Sequence, residues 1–98
     1  MKHLLGVYLR ELRGGQSRLA FAKSLGLSYT FVREMELGNR LPSDEVLMAL
    51  GDVLQADQRR LLLFAYCDRS AALRRVLQES DVSDLIASVR SLAEADPE

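Results

Sequence analysis

The sequence contains few of the residues from which enzyme sites and disulfide-bonded proteins are built. It has one histidine, His3, and one cysteine, Cys67, among 98 residues. One cysteine excludes an internal disulfide framework, and this pair is too small a set for a metal site of usual ligand count or a Cys/His catalytic couple. We therefore expect no enzyme activity and no cofactor, and we expect Cys67 to be a small buried apolar group.

Long hydrophobic runs are also missing. No apolar stretch reaches the roughly 18 residues that a membrane span requires, and "LLGVYL" at residues 4–9 is too short for the apolar core of a secretory signal. These absences predict a cytoplasmic protein with no membrane partner. The length of 98 residues, with 48% hydrophobic and 28% charged composition, predicts one small globular domain with an appended segment. A compact chain of this length has a radius of gyration of about 13 Å.

Charge is divided unevenly along the chain, although the net charge is only −1. Residues 1–42 carry seven Lys or Arg against three Asp or Glu, a net +4, and the remainder carries six against eleven, a net −5. A basic first part is typical of a nucleic-acid-binding face joined to a segment that binds no nucleic acid. The same division of charge also arises by chance, so it does not by itself show that the first part binds nucleic acid.

The chain does contain a series of short helix patterns separated by glycine and serine turns, with no strand-like alternation. A first helix is predicted over residues 3–13. Ser17 and Ser28 are suitable N-caps for a second and a third helix, and Gly26 between them suits a left-handed C-cap, so the two helices are joined by a very tight turn. Ser43, followed by two acidic residues, is a strong start for a fourth helix.

The later helix patterns differ in how far their apolar surface extends. The apolar stripe of the fourth helix consists of Val46, Leu47, Leu50, Val53 and Leu54. The fifth, at residues 57–67, contains "LLLFAYC" and is apolar around its whole circumference, so it is either central to the fold or shared with another chain. Two amphipathic stretches follow it. The candidate dimer or partner contacts are Leu61, Leu62, Phe64, Leu73, Val76, Leu77, Leu85, Ile86 and Val89.

The third helix, at residues 28–36, has two faces of different chemistry. Phe31, Val32 and Met35 lie on one side, which is explained as packing. The other side carries hydrogen-bonding side chains: Tyr29, Thr30, Arg33 and Glu34. An arginine binds guanine or phosphate through two hydrogen bonds, and a carboxylate accepts a hydrogen bond from the cytosine amino group. Thr or Tyr contacts a thymine methyl group or a phosphate. The alternative is an ordinary solvated polar face.

At this point the sequence resembles the λ repressor/Cro-like helix-turn-helix family, also called the xenobiotic response element (XRE) family. The stretch "SRLAFAKSLGLSYTFVREMELGNRLPS" at residues 17–43 carries the likeness, which extends roughly over residues 4–66. The matching positions are Ser17, Phe21, Ala22, Leu25, Gly26, Ser28, Val32, Met35, Glu36, Gly38 and Pro42. The resemblance implies an all-α fold, with a five-helix λ repressor-like helix-turn-helix domain at residues 1–66 and a helical C-terminal extension at residues 67–98.

The resemblance also implies roles for individual residues. The residues in base-reading places are Tyr29, Thr30, Arg33 and Glu34. The residues in places that meet the DNA backbone are Ser17, Arg18, Ser28, Asn39 and Arg40. Arg13 and Glu36 occupy positions that often form a buried ion pair between the first and third helices, so they are expected to be structural.

The resulting hypothesis is a sequence-specific, dimeric transcriptional regulator, more specifically a repressor, that binds double-stranded DNA at a near-palindromic operator. The tail at residues 67–98 is similar to family tails that mediate dimerisation, and in some members a protease cuts such tails. Two alternatives stay open. The chain is an antitoxin that binds a basic toxin and autoregulates its operon, or it is a protein-interaction adaptor that binds no DNA. A toxin, a protease or an antirepressor would be the protein partner.

Overall fold

A computed structural model of the chain describes residues 3–95. These residues form seven α-helices and no β-strand, so the predicted all-α fold class is confirmed for them, whereas the specific five-helix λ repressor-like arrangement stays a prediction. None of their helices is long and apolar enough to cross a membrane. The helices are α1 (Leu4–Arg13), α2 (Arg18–Leu25), α3 (Tyr29–Glu36), α4 (Asp44–Leu54), α5 (Gln58–Arg69), α6 (Ala71–Glu79) and α7 (Ser83–Ala95).

Helices α2 to α6 each follow a residue whose side-chain oxygen accepts a hydrogen bond from an amide of the first turn. The capping residues are Ser17, Ser28, Ser43, Asp57 and Ser70. Such a cap provides a partner for one of the amides that the helix leaves unpaired at its start. Because it needs only residues that are neighbours in sequence, the caps at Ser17, Ser28 and Ser43 were predictable.

Helix α1 is capped by a residue far away in sequence. His3 makes no side-chain cap, and the amides of Leu4 and Leu5 donate instead to the two carboxylate oxygens of Asp68 at 2.9 and 3.0 Å. The Asp68 side chain is only 3% exposed, and Arg74 of α6 lies 4.0 Å from it. One carboxylate therefore connects the start of α1 with α5 and α6.

The core is formed by α1 to α5. Its buried apolar residues are Leu5, Leu9, Phe21, Ala22, Val32, Met35, Leu47, Leu50, Leu61 and Ala65. Val53 does not follow the predicted stripe of α4, since it is 56% exposed. It lies near the C-terminal end of α4 and borders a shallow apolar groove with Leu25 and Leu27. The predicted apolar stripe of α4 is therefore not covered along its whole length.

Helix α5 continues past the predicted boundary between residues 66 and 67 and ends at Arg69. Its Tyr66 hydroxyl donates to Asp44 Oδ1 at 2.7 Å, and Arg69 Nη2 donates to the Pro42 oxygen at 2.8 Å. The first contact holds the start of α4 against α5, and the second holds the connection between α3 and α4. Cys67 is 5% exposed, and burial raises the pKa of its thiol. Both facts agree with the predicted packing role.

Helices α6 and α7 contain no buried residue, and every residue of α7 is exposed. The radius of gyration is 15.3 Å and the dimensions are 44 × 32 × 20 Å. The radius exceeds the expected value of about 13 Å. The amphipathic pattern of the tail thus produces helices that have no core of their own.

Candidate nucleic-acid interface

Helices α2 and α3 are separated by only three residues, Gly26 to Ser28. Gly26 is left-handed, with φ of 69° and ψ of 26°, a conformation that glycine adopts without steric cost. The next amide, of Leu27, donates back to the Ala22 oxygen at 3.0 Å and completes the turn. Ser28 then caps α3 by accepting from Phe31 N at 3.1 Å. Two helices in contact across a three-residue turn with a glycine have the form of a helix-turn-helix unit.

The inner side of α3 is held by a buried carboxylate. Glu36 is 1% exposed, and Arg13 of α1 contacts it through two hydrogen bonds, from Nε to Oε2 at 2.9 Å and from Nη2 to Oε1 at 3.1 Å. Arg18 of α2 donates its Nε to the same Oε1 at 3.0 Å. The Arg13–Glu36 ion pair that the resemblance implied is present, and Arg18 completes a triad that orients α3 against α1 and α2.

The triad gives Arg18 a structural role. The resemblance placed it on the DNA backbone, but its Nε hydrogen bond to Glu36 raises its pKa and holds its side chain, which is 25% exposed, against the inner face of α3. A phosphate contact would have to use its terminal nitrogens. No sequence pattern indicates this role, because Arg18 and Glu36 lie 18 residues apart in the chain and on different helices.

The outer side of α3 faces solvent. Tyr29, Thr30 and Arg33 are exposed, and Tyr29 retains 45% of its surface. Glu34 is less accessible, with 27% of its side chain exposed. The four residues assigned to base reading therefore do not have equal access to a ligand.

The residues assigned to the DNA backbone lie at both ends of α3 and at the start of α2. Ser17 and Ser28 use their oxygens as cap acceptors, and each hydroxyl retains its proton for donation. Asn39 and Arg40 follow α3. Arg40 is exposed, and its guanidinium lies 4.7 Å from the centre of the Phe31 ring. These positions border the exposed face of α3.

The tail contains a second surface, an apolar groove of about 400 Å³ between α5, α6 and α7. Among the predicted partner contacts, Val76, Leu85, Ile86 and Val89 are 45 to 67% exposed. The other five predicted partner contacts are less accessible. Four of them are half-buried and one is buried: Leu62, Phe64, Leu73 and Leu77, and Leu61.

Leu61 is the exception among the predicted partner contacts. It is 0% exposed in the core of its own chain, so a partner cannot reach it. The periodicity of an all-apolar helix could not identify which of its sides faces inward. The prediction did not include three residues that line the groove, Leu63, Val82 and Arg90, or the exposed Leu92 of α7.

Comparison with known proteins gives one partial likeness. Over 45 residues, the chain is 44% identical to a Bacillus subtilis (strain 168) protein named "Uncharacterized HTH-type transcriptional regulator YazB". The match covers 46% of this chain and 64% of that protein, so it extends over a little less than two thirds of the relative. No family model and no solved structure matches the chain. The likeness supports a helix-turn-helix transcriptional regulator. It does not identify the XRE family.

Proposed function

We propose that the protein is a sequence-specific DNA-binding transcriptional regulator of the XRE type, which inserts α3 into the major groove of double-stranded DNA and acts as a repressor. The observation that carries the proposal is the α2–turn–α3 unit, whose second helix is anchored on one side and polar and exposed on the other. The partial likeness to a protein named as a helix-turn-helix regulator supports it.

The charges around α3 suit a polyanion. Arg33 and Arg40 are exposed, and the serine-capped helix starts present backbone amides and positive dipole ends where phosphates would lie. The Arg33 guanidinium suits bidentate binding to guanine, while Tyr29 and Thr30 suit thymine methyl groups or phosphates. Ser17, Ser28, Asn39 and Arg40 would bind the backbone and set the register of α3.

The test compares Arg33→Ala with Arg40→Ala by fluorescence anisotropy, using an operator selected from random duplexes and a scrambled duplex. Arg33→Ala should reduce discrimination at one base pair by about 5- to 100-fold. Arg40→Ala should weaken binding to both duplexes alike and lower the salt slope by about one. Arg75→Ala, which removes an exposed arginine of α6, is the matched control and should change neither quantity.

Two results would contradict the proposal. The first is a wild-type protein without salt-dependent DNA affinity at low ionic strength, which would favour the adaptor alternative. The second is an Arg33→Ala variant that keeps the wild-type ratio between its affinities for operator and scrambled DNA. That result would show that Arg33 does not read a base.

The proposed regulator acts as a homodimer. A single α3 contacts few base pairs, and two copies about 34 Å apart on a near-palindromic site supply the missing specificity. The tail is the proposed interface, because its groove and the exposed stripe of α7 lie on one continuous surface. Leu85 and Val89 line the groove, whereas Leu92 extends beyond it and is 71% exposed. An interface about a two-fold axis uses the same surface of both copies, and this apolar face is available for such pairing.

The mass in solution tests the dimer. We expect the wild type to have twice its chain mass of 11.0 kDa. Val89→Asp should yield monomers at the same concentration, because it places a charge in the interface. Ser91→Asp introduces the same charge about 200° away around α7 and should remain dimeric. A monomeric wild type, or a dimeric Val89→Asp variant, would contradict the proposed interface without affecting the DNA assignment of α3.

A further inference from the structure

The carboxylate of Glu34 connects the exposed face of α3 with the loop that follows the helix. Its Oε1 atom accepts a hydrogen bond from Arg33 Nη1 at 2.8 Å, and its Oε2 atom accepts one from Asn39 Nδ2 at 2.8 Å. The Glu34 backbone oxygen accepts from the amides of Asn39 and Arg40 at 2.9 and 3.3 Å. The Glu34 side chain therefore holds two residues proposed to contact DNA, Arg33 and Asn39, whereas the contact with the Arg40 amide belongs to the backbone.

The hydrogen bond to Glu34 restricts the flexible side chain of Arg33. Arg33 is adjacent to Glu34 in the chain, and its side chain is 46% exposed. Holding a long side chain in place before a ligand arrives reduces the entropy lost when the complex forms. A guanidinium has five N–H donors, and the hydrogen bond to Glu34 occupies only one of them. Arg33 can thus be oriented by Glu34 and still bind a guanine with two further donors.

Glu34 itself is less suited to reading a base than its neighbours. Each of its carboxylate oxygens already accepts a hydrogen bond, and 27% of its side chain is exposed. Its negative charge also repels phosphates, and this repulsion acts on every DNA sequence alike. Pairing with Arg33 reduces the positive charge that Arg33 offers to a random duplex, whereas a correctly placed guanine still meets its free donors.

We propose that Glu34 is a positioning residue of the DNA-binding face. Its carboxylate orients the side chains of Arg33 and Asn39, and it lowers the affinity for random DNA more than the affinity for the operator. This inference rests on the proposed function, which assigns α3 to the major groove. It replaces the base-reading role that the resemblance implied for Glu34 and leaves that role to Tyr29, Thr30 and Arg33.

The test uses Glu34→Gln, which keeps the size of the side chain and one acceptor oxygen but removes the charge. Affinity for a scrambled duplex should rise by about 3- to 10-fold, and the ratio between operator and scrambled affinities should fall by about 5- to 10-fold. Glu11→Gln is the control: Glu11 is an exposed acid of α1, and the same charge change there should leave the ratio unaltered.

Two binding results overturn the inference. If Glu34→Gln loses discrimination at a single base pair while its affinity for scrambled DNA is unchanged, Glu34 reads that base directly. If the ratio and both affinities equal those of the wild type, Glu34 has no role in selectivity.

Side-chain nitrogen NMR of the free protein separates this inference from the proposed function. Glu34→Gln should shift the Arg33 guanidinium and Asn39 amide signals, and Glu11→Gln should leave them in place. If the wild type binds no DNA, the proposed function fails, and these shifts alone decide whether Glu34 positions the two side chains. Unchanged signals in Glu34→Gln overturn the positioning role even where DNA binding is intact.

Discussion

The part of the chain that contains α1 to α5 and the tail formed by α6 and α7 have similar amphipathic patterns but different surroundings. In the first part, the apolar stripes meet one another and ten of their residues form a buried core. In the tail the same kind of stripe stays open, and Val89 and Leu92 are 67 and 71% exposed. Amphipathic periodicity therefore predicts which side of a helix is apolar, but it does not specify which surface covers that side.

The largest effect on stability is expected at Glu36, whose ion pairs join α1, α2 and α3. Glu36→Ala removes the carboxylate shared by Arg13 and Arg18, and leaves two guanidinium groups without their buried partner. Because both arginines are partly exposed to water, the expected loss of stability lies near the lower end for a broken buried pair, about 3 kcal/mol. Urea unfolding measures it. Glu11→Ala, on the exposed side of α1, should cost less than about 0.5 kcal/mol.

The next effect concerns the spacing between α1 and α3. A Cβ atom added at Gly6 would collide with the backbone carbonyl of Glu36, which cannot move aside as a flexible side chain could. Gly6→Ala should therefore destabilise the protein by about 1 to 3 kcal/mol. At Gly15 an added Cβ meets nothing within 4 Å. If Gly15→Ala were as destabilising as Gly6→Ala, the close approach would not be the cause.

A smaller, pH-dependent effect on stability is expected at α5, the helix of the first part that contacts α6. Asp57 caps α5, and hydrogen bonding to Arg59 holds the pKa of its carboxyl well below its usual range. A lowered pKa in the folded state stabilises the fold above the ordinary Asp value of about 4, and this contribution is lost as the pH falls through the folded value.

Asp57→Asn isolates that charge, because asparagine is also a good N-cap. The wild type should unfold at higher urea than the variant at neutral pH, and the difference should shrink as the pH falls below about 4. A difference that stays constant down to strongly acidic pH would mean that the charge of Asp57 does not contribute.

The smallest effect is expected in the tail of the isolated chain. Leu92 is 71% exposed, so Leu92→Ser should change the stability of the monomer by less than about 0.5 kcal/mol. In a dimer, the wild-type melting temperature should rise with protein concentration and that of Leu92→Ser should rise less. Equal concentration dependence in both proteins would show that Leu92 is not covered by a partner.

Several elements of the fold and the candidate site could be predicted because they depend on residues close together in sequence. The serine caps of α2, α3 and α4, the left-handed Gly26 and the separation of α3 into a packed and a polar face are of this kind. The Arg13–Glu36 pair came from the family resemblance, and the structure contains it. The assignments to DNA and to a dimer partner stay predictions.

From the sequence alone one could predict the serine-capped starts of α2, α3 and α4, the glycine turn after α2 and the two faces of α3, because these properties follow from local hydrogen bonds and side-chain periodicity. Three features depend on how the helices pack: Arg18 bonds to Glu36, Asp68 caps α1 from more than sixty residues away, and Leu61 is buried while Leu63 is exposed. These outcomes depend on which surfaces meet when the helices pack, and the pattern within one helix does not specify its neighbours.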